Sequence, residues 1–196
     1  MAMDEIARRM TEHGWVGIAV DLYGRGKVGS TPEECADLMD PLFLDRKLLR
    51  QRMLSLVEIM GAQPEVDRNR MAAIGFCFGG LCVLDLARAG APLRAVASVH
   101  GQLLPPKLDF VTPVIPKVMV LHGWDDPTAP PDSVLSFCRE FTEARADWQL
   151  VAFGGARHRF MLEGPEDPQM GVKYDARAAT RAWAALTRFL IEAISD

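Results

Sequence analysis

The sequence predicts an α/β protein built on a mostly parallel sheet, and three observations lead there. Short apolar runs at residues 71–74, 95–99, 118–121 and 148–153 read as buried strands. Helical patterns at 81–89 and 131–144 fall between them and a last one, at 175–194, follows, so strands alternate with helices as in βαβ units covered on both faces. Finally, 196 residues with 49% hydrophobic and 24% charged content suit one globular domain with a full core.

Taken in order, the chain opens in a helix. Met3, Ile6, Ala7 and Met10 recur at helical spacing, and Gly14 follows as a carboxyl cap. Residues 15–22 alternate, with Val16, Ile18 and Val20 on one face and Gly17 and Ala19 on the other, which predicts a strand. A loop covers 24–30. Thr31-Pro32-Glu33-Glu34 then reads as a helix start, with Thr31 as cap, Pro32 in the first turn and Glu34 closing a capping box. Leu48, Leu49, Met53, Leu56, Val57 and Met60 form the apolar stripe of a longer helix over 45–60 that stops at Gly61. Loops are expected at 100–116, which is rich in proline, and at 154–172.

Composition excludes several classes of partner. A net charge of −4 points to neither nucleic acid nor an anionic membrane. No apolar run reaches transmembrane length, and Met1-Ala2-Met3-Asp4-Glu5 lacks the basic-then-apolar order of a signal peptide. Cys35, Cys77, Cys82 and Cys138 have no CxxC spacing, which argues against a metal site or a disulfide framework. Reduced thiols and a cytoplasmic location are expected. Nothing in the sequence selects an oligomeric state.

The stretch with chemical meaning is Gly75-Phe76-Cys77-Phe78-Gly79-Gly80. A strand that runs through Gly-x-Cys-x-Gly straight into a helix predicts a nucleophile elbow, a turn so sharp that its central residue is strained. Gly75 and Gly79 are expected to make room for strand and helix to approach. Cys77 would then stand over the carboxyl end of the sheet, behind it the amino terminus of a helix. The plainer alternative is a buried structural cysteine on a glycine-flanked turn. A cysteine nucleophile needs a base, and the base needs a third group to hold it. In this architecture the acid precedes the histidine, each on a loop after a later strand. His122-Gly123-Trp124-Asp125-Asp126-Pro127 offers Asp126, with Asp125 as the fallback, and Gly154-Gly155-Ala156-Arg157-His158 offers His158. His100, just after a strand, is a candidate to line the pocket; His13 and His122 read as structural or exposed.

With these residues placed, the chain resembles the dienelactone hydrolase family over nearly its whole length. The matching pieces are Val20-Asp21-Leu22-Tyr23-Gly24-Arg25, the elbow, the segment from His122 to Pro127, and His158-Arg159-Phe160. Tyr174, Arg181, Trp183 and Phe189 near the end add to the likeness. The resemblance implies an α/β-hydrolase-like three-layer sandwich and a Cys-His-Asp triad of Cys77, His158 and Asp126. Such a triad opens lactones or cleaves esters of small molecules through an acyl-cysteine, which water then hydrolyses. The N–H of Phe78 would serve the oxyanion, and neither metal nor organic cofactor is implied.

Two departures from the family pattern shape the expectations. Dienelactone-cleaving members hold the substrate carboxylate with two arginines. Arg25 matches the first; Leu162 occupies the place of the second, four residues after His158, and Arg157 and Arg159 are out of register. An apolar residue cannot replace half of a bidentate clamp, so a less charged ester or lactone fits as well. In addition, family members have about fifty residues, an ordinary fraction of a domain, ahead of the helix that opens this chain. That segment carries the first strands, one of them central, together with the second oxyanion donor and a glutamate that assists the cysteine. The expectation is a single, amino-terminally shortened hydrolase domain whose strand edges are left unpaired or paired with each other. Two other readings compete with the hydrolase. One is a non-catalytic hydrolase-fold protein that binds a ligand or partner. The other is a thiol redox protein using Cys77 and Cys82, whose spacing of five does not match CxxC.

Overall fold

A computed structural model describes residues 3–109, 111 and 113–195. The chain divides into two compact units, Met1–Asp67 and Arg68–Asp196.

The first unit is helical, with α1 at Met3–Thr11, α2 at Pro32–Leu44 and α3 at Arg46–Gly61. Acidic Asp4 and Glu5 open α1 and basic Arg8 and Arg9 close it, each complementing the helix dipole. Ile6 and Met10 are its buried residues, and Gly14 follows with φ 77°, the left-handed conformation anticipated for a helix stop. At the start of α2 the Thr31 hydroxyl accepts from the Glu34 N–H at 3.2 Å. The Glu34 carboxylate accepts from the N–H of Ser30, one residue outside the expected capping box, at 2.7 Å. Asp45 joins the next two helices: its N–H donates to Pro41 in α2, and its carboxylate accepts from the N–H of Leu48 in α3. Leu49 and Val57 are the buried residues of α3, while Leu48 turns outward.

Residues 15–22, expected as a strand, form none. Val16, Ile18 and Val20 are 54%, 41% and 45% exposed. Alternation makes a segment competent to be a strand, but a strand exists only where a neighbouring ladder takes its N–H and C=O groups. The segment is held in other ways. Gly17 lies so close to the Ala7 carbonyl in α1 that a Cβ would run into it, and the Leu22 carbonyl accepts from the Arg52 guanidinium at 3.0 Å.

The second unit holds the sheet. Its strands are β1 at Ala72–Phe76, β2 at Ala95–Val99, β3 at Lys117–Gly123 and β4 at Trp148–Phe153. All are parallel and lie side by side in chain order. Helices α4 at Phe78–Arg88, α5 at Pro131–Glu143 and α6 at Ala176–Ser195 complete the unit, α4 packing on β1 and β2 and α6 on β2 and β3. Every residue of β2 is buried, as expected for an interior parallel strand. The register aligns Phe76 with Val99 and Val99 with Leu121, so all carboxyl ends point to one end of the sheet. In open parallel sheets that end is where ligands bind.

A buried ion-pair cluster lies at the carboxyl end of α4. Arg88, 2% exposed, closes α4 and pairs with Asp85 at 3.1 Å and with Glu140 of α5 at 2.8 Å. Two oxygens of Glu140 accept from its guanidinium, the bidentate geometry that arginine favours. No described helix is long and apolar enough to cross a membrane.

Candidate active site

Strand β1 ends at Phe76 and α4 begins at Phe78, so the turn is a single residue, Cys77. Its φ of 51° and ψ of −118° lie outside the regions an ordinary side chain prefers, a conformation that costs about 1–3 kcal/mol. Two backbone bonds impose it: the Cys77 N–H donates to Val99 at 3.1 Å, and the Cys77 carbonyl accepts from Gly80 at 2.9 Å. A Cβ on Gly75 would run into the Gly79 carbonyl, so Gly75 is indispensable to the close approach. Gly79, expected to share that role, faces open space; the second crowded glycine is Gly80, packed on Gly101 and Ser98. Phe78 occupies the first position of α4, where backbone N–H groups point out of the helix end.

The expected partners converge on this turn. Asp126 is 2% exposed, and its Oδ2 meets Nδ1 of His158 at 2.9 Å. Asp125 is exposed. The other Asp126 oxygen accepts from the backbone N–H of Thr128 at 2.8 Å and from its hydroxyl at 2.7 Å. With Nδ1 of His158 engaged by the carboxylate, Nε2 is left for the thiol. His100 is fully buried just past β2, with φ 38°, and its Nδ1 lies 3.5 Å from Sγ of Cys77. Sγ of Cys77 and one ring nitrogen each of His100 and His158 all lie within 4.8 Å of one another. The rings of Phe76 and Phe160 pack against His100, and Trp183 of α6 against Phe76.

The electrostatics separate the two histidines. Burial pulls His158 down, but hydrogen bonds to Asp126 and Cys77 outweigh it and raise its pKa to about 9. Burial and the neighbouring positive charge of His158 push His100 down to about 3, so it stays a neutral imidazole. Burial raises the Asp126 carboxyl, yet the bonds from His158 and Thr128 prevail and hold it below the usual range. His122 is buried, and burial lowers its pKa. The site can therefore hold a proton on one imidazole beside a thiol while a second imidazole stays neutral.

Arg25 belongs to the first unit, exposed on a turn in which the Asp21 carboxylate accepts from the N–H groups of Gly24 and Gly26. Leu162 is buried, and Arg157 is exposed. One residue that sequence reasoning missed contacts the site. Thr128 braces Asp126, and its place two residues after an aspartate is the signal of a local Asx turn. Arg159, noted from the sequence beside His158 but out of register for a clamp, has φ 59° and adds a positive charge that His100 senses.

The sequence model described as the dienelactone hydrolase family matches residues 1–194. The chain belongs to that family. An uncharacterized protein of Caenorhabditis elegans is 34% identical over 154 residues, 75% of this chain and 95% of its own. A Yersinia pestis protein with the provisional name carboxymethylenebutenolidase is 23% identical over 92% of this chain and 69% of its own. Among solved structures, a dienelactone hydrolase-like promiscuous phosphotriesterase from metagenomic libraries is 35% identical. It covers 97% of this chain and 80% of its own length, with a TM-score of 0.88. The α/β-hydrolase-like fold and the assignment to a hydrolase family are thereby established for this member of the dienelactone hydrolase family.

Proposed function

We propose that this chain hydrolyses a carboxylic ester or lactone by acyl transfer to Cys77. Cys77 passes its proton to Nε2 of His158 and attacks the substrate carbonyl, while Asp126 keeps the imidazole in the useful tautomer. The tetrahedral oxyanion receives the backbone N–H of Phe78 at the positive end of α4. Collapse breaks the ester C–O bond as His158 returns the proton to the departing alcohol. A water then gives its proton to His158, attacks the thioester and releases the acid and the thiol.

The observation that carries this reading is the chain of contacts from Cys77 through His158 to Asp126 on three separate loops, its last link 2.9 Å long. Leu162 in place of a second arginine favours a substrate with an uncharged acyl part. Arg25, assigned from family likeness, is the group proposed for any carboxylate on it. The test is turnover of a simple activated ester, with wild type beside Cys77→Ala, followed by mass spectrometry of the acyl adduct. Turnover and an adduct that both vanish in the variant support the mechanism. Equal rates in the two proteins remove Cys77 from it, and inactivity of both favours a binding protein of the same fold.

A further inference from the structure

The three donor atoms that meet at the elbow do more than describe a nucleophile. We propose that Cys77, His100 and His158 form a binding site for one soft divalent cation of the zinc class, and that occupation of this site switches the acyl-transfer chemistry off. The binding part stands on the geometry alone; the switching part rests on the hydrolase reading above.

A thiolate and two imidazoles are the ligand types that zinc prefers over oxygen-loving cations such as magnesium or calcium. Zinc–sulfur bonds of about 2.3 Å and zinc–nitrogen bonds of about 2.0–2.1 Å put tetrahedral donors roughly 3.3–3.6 Å apart. The Cys77 Sγ to His100 Nδ1 separation is already 3.5 Å. All three donors lie within 4.8 Å of one another, so shifts of about an ångström bring them to tetrahedral spacing.

The surroundings complete the argument. His100 is fully buried, and its Nε2 has no hydrogen-bond partner among the described residues. His158 is fixed by the Asp126 carboxylate at 2.9 Å, the carboxylate–histidine pairing that orients metal-binding imidazoles. Thr128 secures that carboxylate in turn. The thiolate and Asp126 together offset a double positive charge, although Arg159 works against it. Three protein ligands leave the fourth position to water. With the cation bound, the Sγ lone pair and the imidazole nitrogen that acylation requires are both occupied, and one proton leaves the Cys77–His158 pair for solvent.

The experiment uses the full chain with Cys35→Ser and Cys138→Ser, stripped of metal and titrated with cadmium chloride. The readout is the thiolate-to-cadmium charge-transfer absorption, with zinc chloride then used to displace the cadmium. One equivalent is expected to saturate the signal, and Cys77→Ser is expected to abolish it. His100→Phe removes a direct ligand and should weaken binding by more than about a hundredfold, beyond the loss typical of a supporting residue. His100→Gln, of different shape, guards against a folding failure of the first variant. Should both His100 variants bind cadmium as wild type does, the three-point site is refuted. A signal that survives Cys77→Ser refutes it as well. Spectroscopy needs no turnover, so a chain inactive on esters that still binds one cadmium through His100 keeps this proposal and loses the hydrolase one. An active enzyme whose cadmium affinity ignores His100 does the reverse.

Discussion

Replacing Asp126 with asparagine tests the site at its most constrained link. The carboxylate is buried, and each of its oxygens is already committed, Oδ1 to two donors on Thr128 and Oδ2 to Nδ1 of His158. An asparagine therefore keeps its carbonyl oxygen toward Thr128 and turns its NH2 toward His158. A donor now faces Nδ1, so the neutral imidazole must carry its proton on Nε2, the nitrogen that should accept from Cys77. The base becomes a donor at the wrong atom.

The size of the effect follows from the electrostatics. Holding His158 at about 9 rather than 6.5 corresponds to roughly 3 kcal/mol in favour of the imidazolium, shared between Asp126 and Cys77 and net of burial. Without the Asp126 share, burial works against a weaker opponent and the imidazole titrates at lower pH. We expect kcat to fall between about a hundred- and ten-thousand-fold, short of the full serine-triad effect because a thiol yields its proton more readily. Wild-type kcat/KM should hold up to a pH near about 9 and then fall, and the alkaline limb should move to lower pH in Asp126→Asn. The assay is a pH–rate profile on an activated ester, with the imidazole titration followed by NMR. An unchanged kcat together with an unchanged alkaline limb would refute the reasoning.

Three further outcomes are expected. Folding stability should be greatest near neutral pH. His158, raised in the fold, contributes stability below 6.5 that is lost as pH climbs toward about 9, while His100, lowered to about 3, subtracts stability as pH falls below 6.5; urea midpoints across that range read both limbs. Gly75→Ala forces a Cβ into the Gly79 carbonyl and should cost about 3 kcal/mol or more, whereas Gly79→Ala enters open space inside a helix and should gain up to about 1 kcal/mol in thermal or chemical denaturation. Arg88→Met leaves Asp85 and Glu140 without their buried cation and should cost about 3–5 kcal/mol, much of which Asp85→Asn with Glu140→Gln should restore.

The parts of this protein that could be read from sequence are those set by local pattern. The four strands of the sheet and the helices around it fall where periodicity, caps and prolines place them. So does the cysteine elbow, because the demand for Gly75 and the forced turn at Cys77 are written in six adjacent residues. Residues 15–22 mark the limit of such reading: their alternation is local, but the ladder that would make them a strand is not. The same distinction separates Asp126 from Thr128. The acid followed from chain order, while the brace depends on where a hydroxyl lands in three dimensions. The partner of Arg88 in α5 lies 52 residues away, beyond any pattern in the helix that ends with it. His100 was legible as a neighbour of the site, though not as the imidazole nearest the sulfur.

The sheet order has a consequence for timing. The Cys77 sulfur stands just past β1, which among the described residues is an end strand with ladder bonds to β2. End strands open more often than interior ones, so β1 amides should exchange with solvent sooner than those of β3. The elbow is steadied by a short relay inward, in which Cys77 holds on to Val99 and His100, one step further along, holds on to Leu121. When that relay lets go, the bond from the Gly80 N–H to the Cys77 carbonyl is left to hold the strained turn, and the three-atom constellation over the sheet loosens. The lifetime of these backbone hydrogen bonds thus bears on how long the site stays assembled between fluctuations.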